Sequence, residues 1–258
     1  MWVHHEVGIN PQELIKICKK ENCVFIQIEY IDYNWIKSQK KVNNFSLWFY
    51  KKFITTHTAI IKLDLGEEEI LAKMKPKWRY NIKLAWKKWV TVKKVEKNNE
   101  NIQKYYELSV ETTSRDNFSW HWFEYYKKFL NTLENSELLL ASVDWEIIAG
   151  WIFIFGTEVS YYYYGASTSK KEYRNLMAPY LLQWEAIKYA KSTWSKIYDF
   201  LWIAGEWKNY DASLSWVTDF KMKLTPNSIR VSDSYIYINK KISYYFIMNI
   251  KKLKSHLK

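Results

Sequence analysis

The chain has 258 residues, a formal net charge of +12, 15 tryptophans and only 6 glycines. That length allows a large core in one or two domains, while the lack of any apolar run of about 18 residues and of a signal-peptide pattern argues against a membrane-spanning or exported chain. Cys18 and Cys23 have no His or Cys neighbours at ligand spacing, which excludes a zinc site and a disulfide framework and fits a reduced, cytoplasmic protein.

In chain order, "NPQELIKICKKENC" predicts a helix with Leu14, Ile15 and Ile17 as its apolar residues, then a strand "VFIQIEY" and a loop over 32–46. "HTAIIKLDL" predicts a strand. Glu67–Glu69 begin a helix with acidic residues at its positive end. It runs through "EEEILAKM", breaks at Pro76 and resumes through "RYNIKLAWKK"; "VTVKKVE" then predicts a strand. After "NNEN", helices are expected at about 101–114 and 122–134. Strands "LLLASVD", "EIIAGWIFIFG" and "EVSYYYYGAS" follow, then a helix from Pro179 to Ser192 and a strand "KIYDFLWI". "VTDFKMKL" comes after a loop, "SIRVSDSYIYI" reads as one strand, and the last 15 or so residues form a basic amphipathic helix. This order predicts an α+β (mixed α/β) protein with helices on both faces of the sheet, not a regular doubly wound fold. The two halves read as a loose duplication.

The tryptophans stand in odd places. Trp89 follows "LAWKK" and precedes "VTVKKV", the position after a helix end where glycine is usual. Asp144-Trp145 lies between two strand-like runs, where Asp-Gly is the strongest short hairpin signal. Trp194 is at a second helix end, Trp207 and Trp216 are expected in polar loops, and only Trp184 sits on an apolar helical face. Were the other fourteen glycine, that residue would come close to its average of about 7%. The pattern predicts a gene from an organism that reads UGA as glycine; the alternative is a naturally Trp-rich binder of carbohydrate or aromatic ligands. Positive φ is expected at Trp89 and Trp194.

The net charge points to an anionic partner: nucleic acid, a phosphorylated substrate or an anionic membrane surface. An A/T-rich genome also enriches Lys, Asn, Ile and Tyr, so charge alone does not choose. No Walker-type loop, metal-ligand spacing or Ser/His/Asp order is present, and His4, His5, His57, His121 and His256 are scattered. Lys75, Lys77, Arg79 and Lys83 gather around Tyr80 and Asn81, either as a solvated helix face or as an anion site. In Tyr161–Ser167 alternate tyrosines should face opposite ways, with one pair packed and the other free to line a cleft. Lys221, between Phe220 and Met222, would by itself read as a surface lysine.

"MKPKWRYNIKLAWKKWVTV", "SRDNFSWH", "YYYYGASTSKKEYRNLMAPYLLQWEAIKYAKSTWSKIYDFLWIA" and "WVTDFKMKL" together resemble the Fem family of peptidoglycan bridge-forming aminoacyltransferases. The family's helix reads K-x-R-Y-N-I-x-x-A and ends in K-x-G-V before a strand; its second domain carries Y-x-Y-G-A-S, A-P-Y-L-L-Q-W-E-A-I and a Phe-Lys pair. Trp89 matches the glycine of K-x-G-V and Trp184 a true tryptophan. The resemblance covers roughly 50–258 well and 1–50 weakly. It implies tandem GNAT-like (acetyltransferase-like) domains: domain 1 over 1–100, truncated at its N-terminus; domain 2 over 101–240; and a C-terminal helix, 241–258, returning to domain 1. Family members usually carry some tens of residues before the equivalent of "GINPQELIKI".

The resemblance also implies an activity: transfer of an amino acid from aminoacyl-tRNA to the stem-peptide amino group of a peptidoglycan precursor, either UDP-MurNAc-peptide or the lipid-linked form. Lys221 would stabilise the tetrahedral anion, and Glu29 or Asp32 would engage the acceptor amine. Arg115, in "SRDNF", is the candidate for a substrate phosphate. Tyr162 and Tyr164 are candidates for one face of the acceptor channel, and Lys77, Arg79 and Tyr80 for further substrate contacts. No cofactor or metal is implied; a monomer with peripheral contact to the inner face of the membrane is expected. Two other classes stay open. An acyl-CoA-dependent GNAT enzyme needs a Q/R-x-x-G-x-G/A loop, which "ASTSKKEYRNLMAPY" lacks even with glycines restored. A non-catalytic RNA or cell-wall binding module rests on charge and aromatics alone.

Overall fold

Short-range chemistry places the element boundaries. Asn10 caps the first helix by accepting from the Gln12 amide (3.0 Å), with Pro11 in the first turn. Gly66 precedes a helix whose Glu69 side chain reaches back to the Gly66 amide (3.1 Å), and Pro76 opens the next one. A computed structural model describes residues 10–29, 33, 44–51, 55–116, 121–205, 214–230 and 234–256. In chain order the elements are α1 (Pro11–Lys20), β1 (Phe25–Glu29), β2 (Ser46–Leu47), β3 (His57–Lys62), α2 (Glu67–Lys73), α3 (Pro76–Lys87), β4 (Thr91–Val95), α4 (Asn99–Asp116), α5 (Phe123–Thr132), β5 (Ser136–Val143), β6 (Glu146–Ile154), β7 (Val159–Ser167), α6 (Lys171–Arg174), α7 (Ala178–Ser192), β8 (Ile197–Asp199), α8 (Ser215–Lys221), β9 (Ser228–Arg230), β10 (Ser234–Ile238) and α9 (Lys241–His256).

The chain divides into two compact units, residues 1–57 with 230–258, and residues 58–229. In the first, β10 lies between β1 and β2, antiparallel to both, with Phe25 opposite Ile238 and Glu29 opposite Ser234. The second is built on a seven-stranded sheet of order β4-β5-β6-β7-β8-β3-β9. Its β4, β5, β6 and β7 pair antiparallel, β8 and β3 likewise, and β7 with β8 parallel. Helices cover both faces, as expected. On one face Trp78, Ile82 and Ala85 of α3 and Leu182, Ala186 and Ile187 of α7 pack with Leu139 and Phe153. On the other, Ile102, Tyr105 and Leu108 of α4 and Tyr126 and Leu130 of α5 pack with Leu138, Leu140 and Ile152.

Three expectations differ from this arrangement. The segment "SIRVSDSYIYI" is two strands in different sheets, β9 and β10, with 231–233 outside the described residues. Only Ile197–Asp199 of "KIYDFLWI" is strand, because Leu201 and Trp202 take left-handed φ of 53° and 26° and turn the chain out of the sheet. The compact units also do not follow a boundary at residue 100: β3, α3 and β4 share the sheet and core of 101–229.

Trp89, Trp145 and Trp194 have φ of 59°, 69° and 65° and are 83%, 97% and 86% exposed. Each sits in a motif with a local demand for glycine. At the end of α3 the Trp89 amide donates to Trp86 O (3.1 Å) and the Val90 amide to Ala85 O (3.1 Å), the paired bonds of a Schellman cap. The end of α7 repeats this, Trp194 to Lys191 O and Ser195 to Ala190 O. Asp144 (φ 46°) and Trp145 form the two-residue turn joining β5 to β6, whose two positive φ values are those of a type I′ hairpin. Trp184 is not the only tryptophan directed into the core: Trp78 of α3 and Trp151 of β6 are also buried, at 1% and 3% exposure. Trp216 lies in α8 rather than in a loop, and Trp207 falls outside the described residues.

Candidate active site

The parallel strands β7 and β8 pair only through Val159–Ile197, Ser160–Tyr198 and Tyr161–Asp199. Beyond that rung β7 continues to Ser167, while the chain after Asp199 turns away at Leu201 and Trp202. The C-terminal ends of parallel strands are where open sheets commonly bind ligands, and the end of α8 brings Lys221 here. The side chain is buried (3% exposed), and Nζ donates to Leu201 O (2.8 Å) and Trp202 O (3.1 Å). The rings of Tyr162 and Trp202 lie 5.7 and 6.0 Å from Nζ. Among the described residues no acceptor takes its third N–H. Burial pulls the Lys221 pKa down from the usual lysine range to about 7, and the Asp199 carboxylate opposes part of that shift. Lys221 is thus no surface lysine.

Asp199 holds this corner together. It is fully buried, accepts from the Leu201 amide (2.6 Å) and makes a short hydrogen bond with Thr58 Oγ1. The first bond fixes the turn whose two carbonyls face Lys221. Sequence reasoning missed both groups. Asp199 lies within "KIYDFLWI" with nothing local to single it out, and Thr58 is 141 residues away in the chain.

A cleft of about 520 Å³ opens beside the corner, between the end of β7 and the start of α7. Ser167, Thr168, Lys171, Arg174, Tyr180 and Phe220 line it, and Arg115 is in its wall. Glu111 and Thr112 of α4 shape its rim: Glu111 Oε1 accepts from the Ser169 amide (2.5 Å), and Thr112 Oγ1 from the Ser167 amide (2.8 Å). Lys171, Arg174 and the first turn of α7 make the cleft positive, which suits a phosphate. Lys171 and Arg174 were not foreseen, since "SKKEYRN" reads only as a polar loop.

The expected site residues divide accordingly. Arg115 reaches the cleft, but Nε and Nη2 both pair with Asp116 (2.9 Å each), and Nη1 donates to Ser167 O (3.2 Å) and Ser169 Oγ (3.1 Å). Its charge is balanced locally, so it braces the cleft rim, while Lys171 and Arg174 have no ion-pair partner among the described residues. Tyr162 and Tyr164 do not share a face. Ile152 and Phe153 oppose Tyr164 and Tyr162, so Tyr163 is an extra residue, a bulge that breaks the alternation. Tyr162 packs on the core that contains Phe153, while Tyr164 joins the opposite cluster and shares a hydrogen bond with Tyr125 (2.9 Å). Burial raises both phenol pKa values, leaving them neutral O–H groups.

Arg79 turns back to the end of α2, where Nη1 donates to Ala72 O (3.0 Å) and Met74 O (2.6 Å); it caps a helix. Lys77 and Tyr80 lie on the exposed side of α3, away from the cleft lining. Glu29 ends β1 in the other compact unit, where Oε1 accepts from Gln27 Nε2 (2.5 Å) and Ser234 Oγ (3.0 Å). Asp32 lies outside the described residues. Among the described residues no cluster of His, Cys, Asp and Glu could hold a metal ion.

The model of the FemAB family matches residues 50–147 and 143–252. Among solved structures, that of FemX superposes with a TM-score of 0.77 at 18% identity, covering 92% of this chain and 77% of that one. The C-terminal domain of a protein described as a lysylphosphatidylglycerol synthetase from Agrobacterium fabrum gives 0.61 at 10% identity, over 92% and 76% of the two chains. L-PGS from Bacillus licheniformis gives 0.54 at 14% identity, over 89% and 72%. At such identities these likenesses establish the fold. No curated protein sequence matches.

Proposed function

The chain belongs to the FemAB family, and from that premise we propose that it transfers an amino acid from aminoacyl-tRNA to the stem-peptide amine of a peptidoglycan precursor. The observation that carries this reading is a buried lysine ammonium beside a positive cleft, at the place where two parallel strands part. In the reaction the acceptor amine attacks the aminoacyl ester carbonyl. A C–N bond forms, the C–O bond to the tRNA ribose breaks, and the amine's proton ends on the ribose oxygen. Between these events the carbonyl oxygen carries negative charge.

Lys221 is held for that moment. Two of its N–H groups are anchored on Leu201 and Trp202 carbonyls, and the third can point at the oxyanion. Since the charge develops only in the transition state, this contact favours turnover over substrate affinity. Tyr162, kept neutral by burial, supplies a ring face toward the ammonium. Lys171 and Arg174 take a substrate phosphate in the cleft, with Arg115 fixing the rim. Either Glu29 or Asp32 is the proposed acidic group that engages the acceptor amine. A peripheral membrane contact would use α9, which exposes Ile242, Phe246 and Leu253 among lysines. No helix of the described residues is long and apolar enough to cross a membrane.

The test is incubation with charged tRNA pools and either precursor, with acetyl-CoA as the competing donor. Amide-linked product from aminoacyl-tRNA is expected. Acetylation alone would replace this reading with an acyl-CoA enzyme.

A further inference from the structure

Two indoles pack against rings that line the cleft. Trp78, from α3, lies 4.2 Å from the Tyr180 ring and 5.1 Å from that of Phe220, both of which line the cleft. Trp151, from β6, lies 6.2 Å from Phe220 and 4.9 Å from Tyr162, whose ring is 5.7 Å from Lys221 Nζ. Trp151 thus bridges cleft-lining Phe220 and the ring that faces the ammonium, and Trp78 backs Phe220 and Tyr180.

Trp78 is poorly matched to its surroundings, and Trp151 is housed only because glycine lies opposite it. A buried indole N–H normally finds an acceptor, yet Trp78 Nε1 is buried without one. One turn further along α3, Asn81 Nδ2 is also buried and unpartnered. Trp151 is cross-strand from Gly165, where a Cβ would meet the Tyr162 hydroxyl first and then the Trp151 Nε1 at 2.7 Å. On this face of the sheet the Trp151–Gly165 pair stands between Phe153–Tyr162 on one side and Ala149–Ser167 on the other. Ser167 lines the cleft. With glycine opposite glycine, only the Tyr162 phenol, whose hydroxyl lies over Gly165, would stand on this face between Ser167 and Lys221, and the space vacated beside it would lead from the cleft toward the ammonium. Phe220 would form part of its roof, as would Tyr180 once Trp78 had withdrawn.

We propose that the native chain carries glycine at positions 78 and 151, and that the space their indoles fill is the inner arm of the active-site cleft, which admits the aminoacyl ester of the donor to Lys221. The arm is narrow and lined by rings, so it takes an extended acyl group with a small side chain. This rests on the aminoacyl-transfer reading above for its occupant, but not for its existence.

The test is the W78G/W151G double variant, probed first without any substrate. A small acylating reagent, N-succinimidyl acetate, is applied and the modified lysines are mapped by mass spectrometry, with exposed Lys223 as internal reference. Lys221 should be protected in the chain as written and should label at least about tenfold faster, relative to Lys223, in the variant. Unchanged protection of Lys221 in a folded variant overturns the proposal. Should the glycine pair fail to fold, W78A/W151A removes the same indoles at lower cost to α3, and protection of Lys221 there overturns it equally. Transfer from aminoacyl-tRNA is assayed separately. An opened Lys221 without transfer contradicts the function and leaves the inner arm standing; transfer with Lys221 still protected does the reverse.

Discussion

Among single residues, Lys221 and the Asp199 carboxylate beside it set the chemistry of the site. A lysine with its pKa near 7 is largely neutral above that pH, and only the neutral amine is nucleophilic. In the chain that keeps both indoles, and with them the burial of Lys221, the slow acylation of Lys221 should therefore rise up to about pH 7 and then level off. An exposed lysine should keep gaining toward its ordinary value of about 10.4. Asp199→Asn removes a charge that supports the ammonium, so the plateau should begin at lower pH. A Lys221 profile that follows the exposed lysines would mean that the ammonium is not desolvated. Little of this corner was legible in the sequence. Lys221 stood out only through the Phe-Lys pair of a resembling family, since a lone lysine carries no local signal. Asp199 and Thr58 meet only after β3 and β8 have paired.

At the scale of elements, what can be read from sequence depends on whether the demand is local. A Schellman cap or a type I′ turn requires left-handed backbone within a few residues, so the immediate chain neighbours of Trp89, Trp145 and Trp194 suffice to mark them as glycine positions. The bulge at Tyr163 is not local, because it appears only against β6, and it sends Tyr162 and Tyr164 to opposite faces. Arg79 looks like part of a basic face in the sequence because its carbonyl partners lie on the preceding helix.

Two predictions belong at this scale. A left-handed non-glycine residue costs about 1–2 kcal/mol, against roughly 0.5–1 kcal/mol for the greater freedom of glycine in the unfolded chain. Trp89→Gly and Trp194→Gly should each raise stability in urea by about 0.5–1 kcal/mol. Trp86→Gly, at an exposed helical position three residues before Trp89, should lower it by about 0.5 kcal/mol. Losses at all three positions would contradict the cap assignment. Arg79→Ala should destabilise the fold by about 1.5–3 kcal/mol, the worth of hydrogen bonds from a charged group. Phosphate binding in the cleft, followed by titration with inorganic phosphate, should be unchanged in that variant.

At the scale of the whole molecule, an excess of twelve positive charges has either a partner or a genomic origin. Binding to tRNA through phosphate contacts releases counterions, so the logarithm of affinity should fall linearly with the logarithm of salt, by about 0.7–0.9 per contact. A flat response in a filter-binding series would assign the charge to codon bias. The central claim is that Lys221 stabilises the oxyanion of aminoacyl transfer. Its most direct test is the turnover of Lys221→Ala in the W78G/W151G background, with aminoacyl-tRNA and precursor as substrates and exposed Lys223→Ala as control. Removing one oxyanion donor costs about 10²–10³ in rate, so Lys221→Ala should lose that much turnover with KM little changed, while Lys223→Ala stays near the parent. Equal turnover in Lys221→Ala and its parent would contradict the account.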